Sequence, residues 1–186
     1  MDCDVSQSAY KVAWTGNGHL MVFDESTVMA LRKSHRIVGA LEGTHPLGTL
    51  QNKFFGLPLI LLPEEAAMLV EMGVIPPNPD PESPTWPTTE RQKQLFRLYK
   101  DLYAKGYYLT RGLKFGGDYL LYPGEPMRYH SSHVVNLIAH GSTLSPHQIV
   151  SLGRLGTGVK KTRVLSSLDP GTDQFTHITV NWSGMN

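Results

Sequence analysis

Six of the fifteen residues from Ile75 to Thr89 are proline, and no helix or internal strand runs through such a stretch. Proline lacks an amide hydrogen and fixes φ, so it blocks helix interiors and ladder hydrogen bonds alike. Residues 76–89 therefore read as a stiff, extended linker. It divides the chain into an N-terminal module, residues 1–75, and a C-terminal unit, residues 90–186. The full length of 186 residues is enough for two small cores or one large one.

Charge and cysteine content narrow the function classes. There are 17 basic and 16 acidic side chains, for a net charge of +1. A protein that binds nucleic acid unaided is usually more basic, so RNA binding here would need a local patch or partner chains. The single cysteine, Cys3, rules out an internal disulfide framework and a cysteine-based zinc site, and it suits a reducing compartment. The N-terminus lacks the basic start and apolar run of a signal peptide, so none is expected. The longest apolar runs, such as Leu57 to Pro63, are too short to span a bilayer.

In the N-terminal module, residues 11–14 and 19–23 read as strands around the turn Gly16-Asn17-Gly18. A helix over 27–34 is capped by Asp24 or Ser26. Strands follow at 37–41 and 57–62. Pro63-Glu64-Glu65 opens a second helix, with proline first and acids in its first turn, and Gly73 closes it. The C-terminal unit opens on the capping box Thr89-x-x-Gln92, and its helix runs to Lys105. Strands follow at 107–109, 119–122 and 134–139. A second capping box, Ser145-Pro146-His147-Gln148, starts a helix to about Leu152. Strands at 161–166 and 174–182 end the chain. The order α-β-β-β-α-β-β predicts an α/β (α+β) class: a small mixed module, then a mixed sheet flanked by helices. The last strand is expected to be a sheet edge open to a neighbour.

The chemistry concentrates in Phe115-Gly116-Gly117-Asp118-Tyr119-Leu120-Leu121-Tyr122-Pro123-Gly124-Glu125-Pro126-Met127-Arg128-Tyr129-His130. Tyr122 and His130 lie eight residues apart across a Pro-Gly-x-Pro turn, and Lys161 follows 31 residues later. RNA carries its own nucleophile, the 2′-hydroxyl. Cutting it needs a base for that proton, an acid for the departing 5′-oxygen, and a cation for the charge on the phosphorane. Histidine can be acid or base near neutrality. Lysine is a compact cation for non-bridging oxygens. Tyrosine ordinarily titrates near ~10 and becomes a useful base only beside cations. Each residue also has a structural alternative: a strand-end tyrosine, a satisfied loop histidine, a solvated lysine. Spacing alone leaves both readings open.

The run from Phe115 to His130 resembles the signature of the catalytic subunits of tRNA-splicing endonuclease. Its Tyr-Pro-Gly-acid-Pro form is most similar to the eukaryotic subunit that cuts the 3′ splice site. Arg154-Leu-Gly-Thr-Gly-Val-Lys-Lys161-Thr162 resembles the family's lysine motif. Leu31 to Gly39, Gln51-Asn52, Gly56 to Leu59 and Pro63-Glu64-Glu65 extend the resemblance into the N-terminal half. It implies that Tyr122 is the general base, His130 the general acid and Lys161 the transition-state cation. The products would be a 2′,3′-cyclic phosphate and a 5′-hydroxyl, formed with no cofactor and no metal. Arg154 and Trp182 match the arginine and aromatic that sandwich a bulge base near a cut, at this chain's site or the partner's. Implied partners are pre-tRNA, a 5′-cutting catalytic subunit and two structural subunits. The implied location is the nucleus, or alternatively the cytosolic face of mitochondria. Relatives often carry a long charged insertion between the halves, where this chain has only the proline-rich segment. Rival readings are a non-catalytic scaffold subunit of the same assembly, the 5′-cutting subunit or a self-assembling archaeal-type enzyme, and a metal-dependent nuclease.

Two other signals fail on inspection. Gly153 to Thr162 has glycines like a P-loop, but valine stands where lysine is required, and the segment joins a helix to a strand. His130, His133, His140 and His147 fall on different elements without a cysteine among them.

Overall fold

The computed structural model describes residues 10–44, 55–84 and 86–183; Cys3 and Gln51-Asn52 lie outside them. The chain forms two compact units, Met1–Thr88 and Thr89–Asn186. The mixed α/β class expected from the element order is borne out, with a four-stranded and a five-stranded sheet.

In the first unit, β1 (Ala13–Trp14), β2 (Leu20–Val22), β3 (Ala40–Thr44) and β4 (Phe55–Ile60) form an antiparallel sheet in the order β1-β2-β4-β3. Helix α1 (Glu25–His35) starts at Asp24, whose carboxylate accepts the Thr27 N–H at 2.9 Å. Helix α2 spans Pro63–Glu71. Leu20, Val22, Leu31, Ile37, Leu59, Leu61 and Leu69 form the buried core.

β3 begins three residues later than expected, at Ala40. The reason lies in α2. The fully buried Glu65 carboxylate accepts the Val38 and Gly39 N–H groups on Oε1, at 2.9 and 3.1 Å, and the Leu62 N–H on Oε2, at 2.8 Å. Residues 38 and 39 thus give their donors to a side chain and not to a sheet ladder. Burial pushes the Glu65 carboxyl above the ordinary range, against the opposing pull of those three N–H donors.

The proline-rich segment does not run as an extended linker through 76–84. Asn78 accepts the Asp80 N–H and Asp80 accepts the Glu82 N–H, at 3.1 and 3.0 Å, turns in which side-chain oxygens replace ladder partners. Ser83 is buried, and the Pro76 carbonyl accepts the Trp14 indole N–H at 3.2 Å. The segment packs on the β1–β2 hairpin and belongs to the first unit.

In the second unit, α3 (Glu90–Ala104) is followed by β5 (Tyr108–Arg111), a single 3-10 turn at Leu113–Phe115, β6 (Tyr119–Tyr122), β7 (His133–Leu137), α4 (Pro146–Gly158), β8 (Thr162–Asp169) and β9 (Gln174–Val180). The strands lie in sequence order, antiparallel except for β7–β8, which pair in parallel through the α4 crossover. β9 is an edge strand.

The two helices cover opposite faces. Tyr99 of α3 meets Tyr119 edge-on at 5.8 Å, so α3 lies on the face that Tyr119 shares with Leu121, His133 and Val135. Gly156 of α4 lies over Arg163 on the other face, which holds Leu120, Tyr122 and Val134. α4 runs six residues beyond the expected end at Leu152. Its buried glycines are contact points and not stop signals: a Cβ on Gly156 would lie 2.8 Å from the Lys161 carbonyl.

Candidate active site

The β6–β7–β8 register decides which side chains converge. Leu121 pairs with His133, and His133 pairs with Thr162. One step on, Tyr122, Ser132 and Lys161 form a row at a single end of the sheet. Two hydrogen bonds continue the ladders into that row, Ser132 N–H to the Leu121 carbonyl at 2.9 Å and Thr162 N–H to the Ser132 carbonyl at 3.0 Å. Residues opposite one another across a sheet share a face, so Tyr122 and Lys161 project on the α4 side.

Tyr122 is half-buried, and its hydroxyl lies 3.4 Å from Thr110 Oγ1, which donates to it. Lys161 is half-buried too. Its backbone N–H donates to the Gly156 carbonyl at 2.9 Å, so α4 fixes the start of β8. Its ammonium donates to the Ser131 carbonyl at 3.2 Å and sits 5.1 Å from the centre of the Phe115 ring, a cation–π contact.

His130 is exposed, at the end of the loop that leaves Tyr122. Glu125 holds that loop. Its carboxylate accepts the Met127 N–H at 2.8 Å, and its carbonyl accepts the Arg128 and Tyr129 N–H groups at 2.9 and 3.1 Å. The Tyr129 ring folds over Gly124, where a Cβ would come within 2.6 Å of it. The loop therefore returns the chain from Tyr122 to Ser131, whose carbonyl carries the Lys161 ammonium. His130 is the residue next to that anchor.

His133, only three positions on, is a different kind of histidine. It lies on the α3 face, half-buried against Tyr107 at 6.2 Å, with Nδ1 2.7 Å from Ser132 Oγ. Burial pushes its imidazole below the ordinary range and so favours the neutral form. His130, by contrast, is exposed to solvent.

Arg154 and Trp182 are brought to each other, the guanidinium 5.0 Å from the indole centre and both side chains exposed. Among the described residues, no hydrogen bond or ring contact links this pair to Tyr122, His130 or Lys161. A base could be sandwiched only if the two side chains moved apart. Also among the described residues, no group of three or more His, Cys, Asp or Glu side chains is placed to hold a metal ion.

Sequence reasoning missed three parts of this site: the Ser131 carbonyl, the Phe115 ring and Arg163. Phe115 stands in the motif, but its ring contact with Lys161 and the Ser131 backbone oxygen are not read from residue type. Arg163 had a visible signal, the single charge within the otherwise uncharged run Thr162-Arg-Val-Leu-Ser166.

Comparison with known proteins follows the same division. Residues 11–79 match the family model of the TSEN34-like N-terminal domain, and residues 93–180 match that of the tRNA intron endonuclease catalytic C-terminal domain. The chain is 32% identical to the tRNA-splicing endonuclease subunit Sen34 of Homo sapiens over 130 residues, 64% of this chain and 42% of that protein. It is 25% identical to the probable tRNA-splicing endonuclease subunit sen34 of Schizosaccharomyces pombe over 235 aligned positions, 78% of this chain and 83% of the relative. A tRNA-splicing endonuclease of Saccharolobus solfataricus is 31% identical over 91 residues, 49% of this chain and 50% of the relative. The matches cover less than half the length of the human and mouse proteins.

Proposed function

Because this chain belongs to the tRNA-intron endonuclease family and carries its catalytic domain, we propose that it is the subunit that cuts pre-tRNA at the 3′ splice site. The observation that carries this reading is the convergence on one sheet end of Tyr122, Lys161 and the residue after His130. Tyr122, as its phenolate, takes the 2′-hydroxyl proton at the cut and becomes the neutral phenol. The 2′-oxygen then attacks the adjacent phosphorus. The Lys161 ammonium stands against the charge that builds on the non-bridging oxygens. His130, exposed to the incoming strand, protonates the departing 5′-oxygen. The bond balance leaves a 2′,3′-cyclic phosphate on one product and a 5′-hydroxyl on the other, with no metal in the step.

The choice of the 3′ site rests on likeness. The N-terminal module matches a TSEN34-like model, and the turn Tyr122-Pro-Gly-Glu-Pro126 has the form expected of that subunit. The partners in this reading are pre-tRNA, a 5′-cutting catalytic subunit and two structural subunits. The near-balanced charge suits a chain that meets RNA as part of an assembly.

The substrate's own nucleophile provides a direct test. A pre-tRNA with a single 2′-deoxynucleotide 5′ of the 3′ splice junction should lose that cut in the reconstituted assembly and keep the other. Cleavage at the deoxy position would show that water, and not the 2′-oxygen, attacks.

A further inference from the structure

Arg163 is completely buried, two residues along β8 from Lys161 on the same face. Its row partners across the sheet, Val134 and Leu120, are apolar and buried. Among the described residues no acidic side chain pairs with it. Its guanidinium instead grips the turn before β6. One nitrogen donates to the Gly116 carbonyl at 3.0 Å and to Asn136 Oδ1 at 3.2 Å, and the other donates to the Phe115 carbonyl. Asn136 closes the set by donating to the same Gly116 carbonyl at 3.0 Å.

Gly116 has φ +69°, a conformation that lets successive carbonyls turn toward one donor group. Gly156 brings α4 down onto the Arg163 stem, its Cβ position 3.1 Å from Arg163 Cγ. Burying an unpaired arginine is costly, and burial pulls its guanidinium below the ordinary range. A leucine would fill such a row more cheaply, so packing alone does not account for the residue. What the arginine does that leucine cannot is hold the two carbonyls of residues 115 and 116.

We infer that Arg163 is a positioning residue for cleavage: by clamping the Phe115 and Gly116 carbonyls it fixes the Phe115 ring against the Lys161 ammonium and so aims that cation at the reacting phosphate. The inference rests on the reading of Lys161 as the charge-stabilising group. The Ser131 carbonyl restrains the ammonium from one side and the Phe115 ring from another. Without the clamp the ring side is released, and the cation gains freedom at the step that needs it fixed.

The test uses Arg163→Met, Arg163→Lys and Phe115→Leu in the full chain, with two readouts. The first is the Lys161 side-chain NMR signal in ε-13C-lysine-labelled protein, which the Phe115 ring should shift upfield. The second is single-turnover cleavage of pre-tRNA by the reconstituted assembly. Phe115→Leu should abolish the upfield shift. Arg163→Met should reduce it and slow the cut about ten- to hundredfold, with pre-tRNA affinity unchanged. Arg163→Lys, whose ammonium cannot span both carbonyls, should fall between Met and wild type. If Arg163→Met folds and matches wild type in both readouts, the positioning role is refuted. If it does not fold, Arg163→Lys decides: wild-type shift and wild-type rate overturn the inference. An assembly with no cleavage by the wild-type chain would contradict the functional reading, while the NMR signal would still decide the clamp.

Discussion

Tyr122→Phe is expected to slow cleavage at the 3′ junction by about 10²- to 10⁴-fold, the range for loss of a positioned acid or base. The substitution isolates chemistry from structure. It keeps the half-buried ring in its row at the end of β6 and removes one oxygen, whose contact with Thr110 is a long 3.4 Å. The unfolding midpoint should therefore stay close to that of wild type. The loss should fall on the rate of the bound complex and not on pre-tRNA binding, because the phenolic oxygen acts only as the substrate's 2′-proton moves to it. Single-turnover rates against enzyme concentration separate the two. A Tyr122→Phe assembly that cuts the 3′ junction at the wild-type rate would remove tyrosine as the base.

The second large effect is on stability, in the first unit. Glu65→Ala should destabilise that unit by about 3–5 kcal/mol, since two buried N–H groups and a part-buried one lose their acceptor at once. Against a total stability of roughly 5–15 kcal/mol, that change alone can unfold the unit. Glu65→Gln keeps one oxygen for Val38 and Gly39 and turns an amide toward the Leu62 N–H, so its cost should be smaller. The sign of the pH dependence follows from the raised carboxyl. A group with a folded pKa above its unfolded value contributes fully below the unfolded value and loses that contribution as pH rises through the folded one. The stability of wild type relative to Glu65→Gln should accordingly fall as pH rises from the ordinary glutamate range, near 4.5, toward neutrality. Urea unfolding of both chains across that interval measures it. A difference that grows with pH would mean the carboxylate is better stabilised folded than free.

The sequence carried the local signals well and the non-local ones poorly. Both capping boxes were legible because Thr89, Gln92, Ser145 and Gln148 bond within one helical turn. So was β6, where Tyr119 to Tyr122 is a short apolar run between turns. Glycine normally disfavours a helix interior, so the sequence alone predicts an early end to α4. Only the fold shows that Gly153 and Gly156 admit Trp182 and β8. The start of β3 depended on a carboxylate 27 residues away, which no window of sequence reports. The proline-rich segment was legible as irregular, but its packing on the first unit was not, since Asx turns and a buried serine look the same in a free linker.

The site divides in the same way. The residue types and spacing of Tyr122, His130 and Lys161 mark them as candidates, and the parallel register of β7 and β8 explains why a lysine 31 residues from the histidine reaches its neighbourhood. That His133, unlike His130, is half-buried on the α3 face needed the faces of the sheet. Phe115 stands in the motif, but its ring contact with Lys161 and the Ser131 carbonyl that holds the ammonium were invisible, because neither a ring's spatial neighbour nor a backbone oxygen is read from residue type.

The central claim is that this chain makes one cut, without a metal, through its own acid and base. The most direct measurement is cleavage of an intron-containing pre-tRNA in EDTA by the reconstituted assembly, with wild-type chain or His130→Ala, mapping each junction and its end groups. The expected result is two wild-type cuts ending in cyclic phosphate and 5′-hydroxyl, with only the 3′ cut lost in the variant. Survival of both cuts in His130→Ala would make this chain a scaffold, and loss of wild-type cleavage in EDTA would contradict the metal-free mechanism.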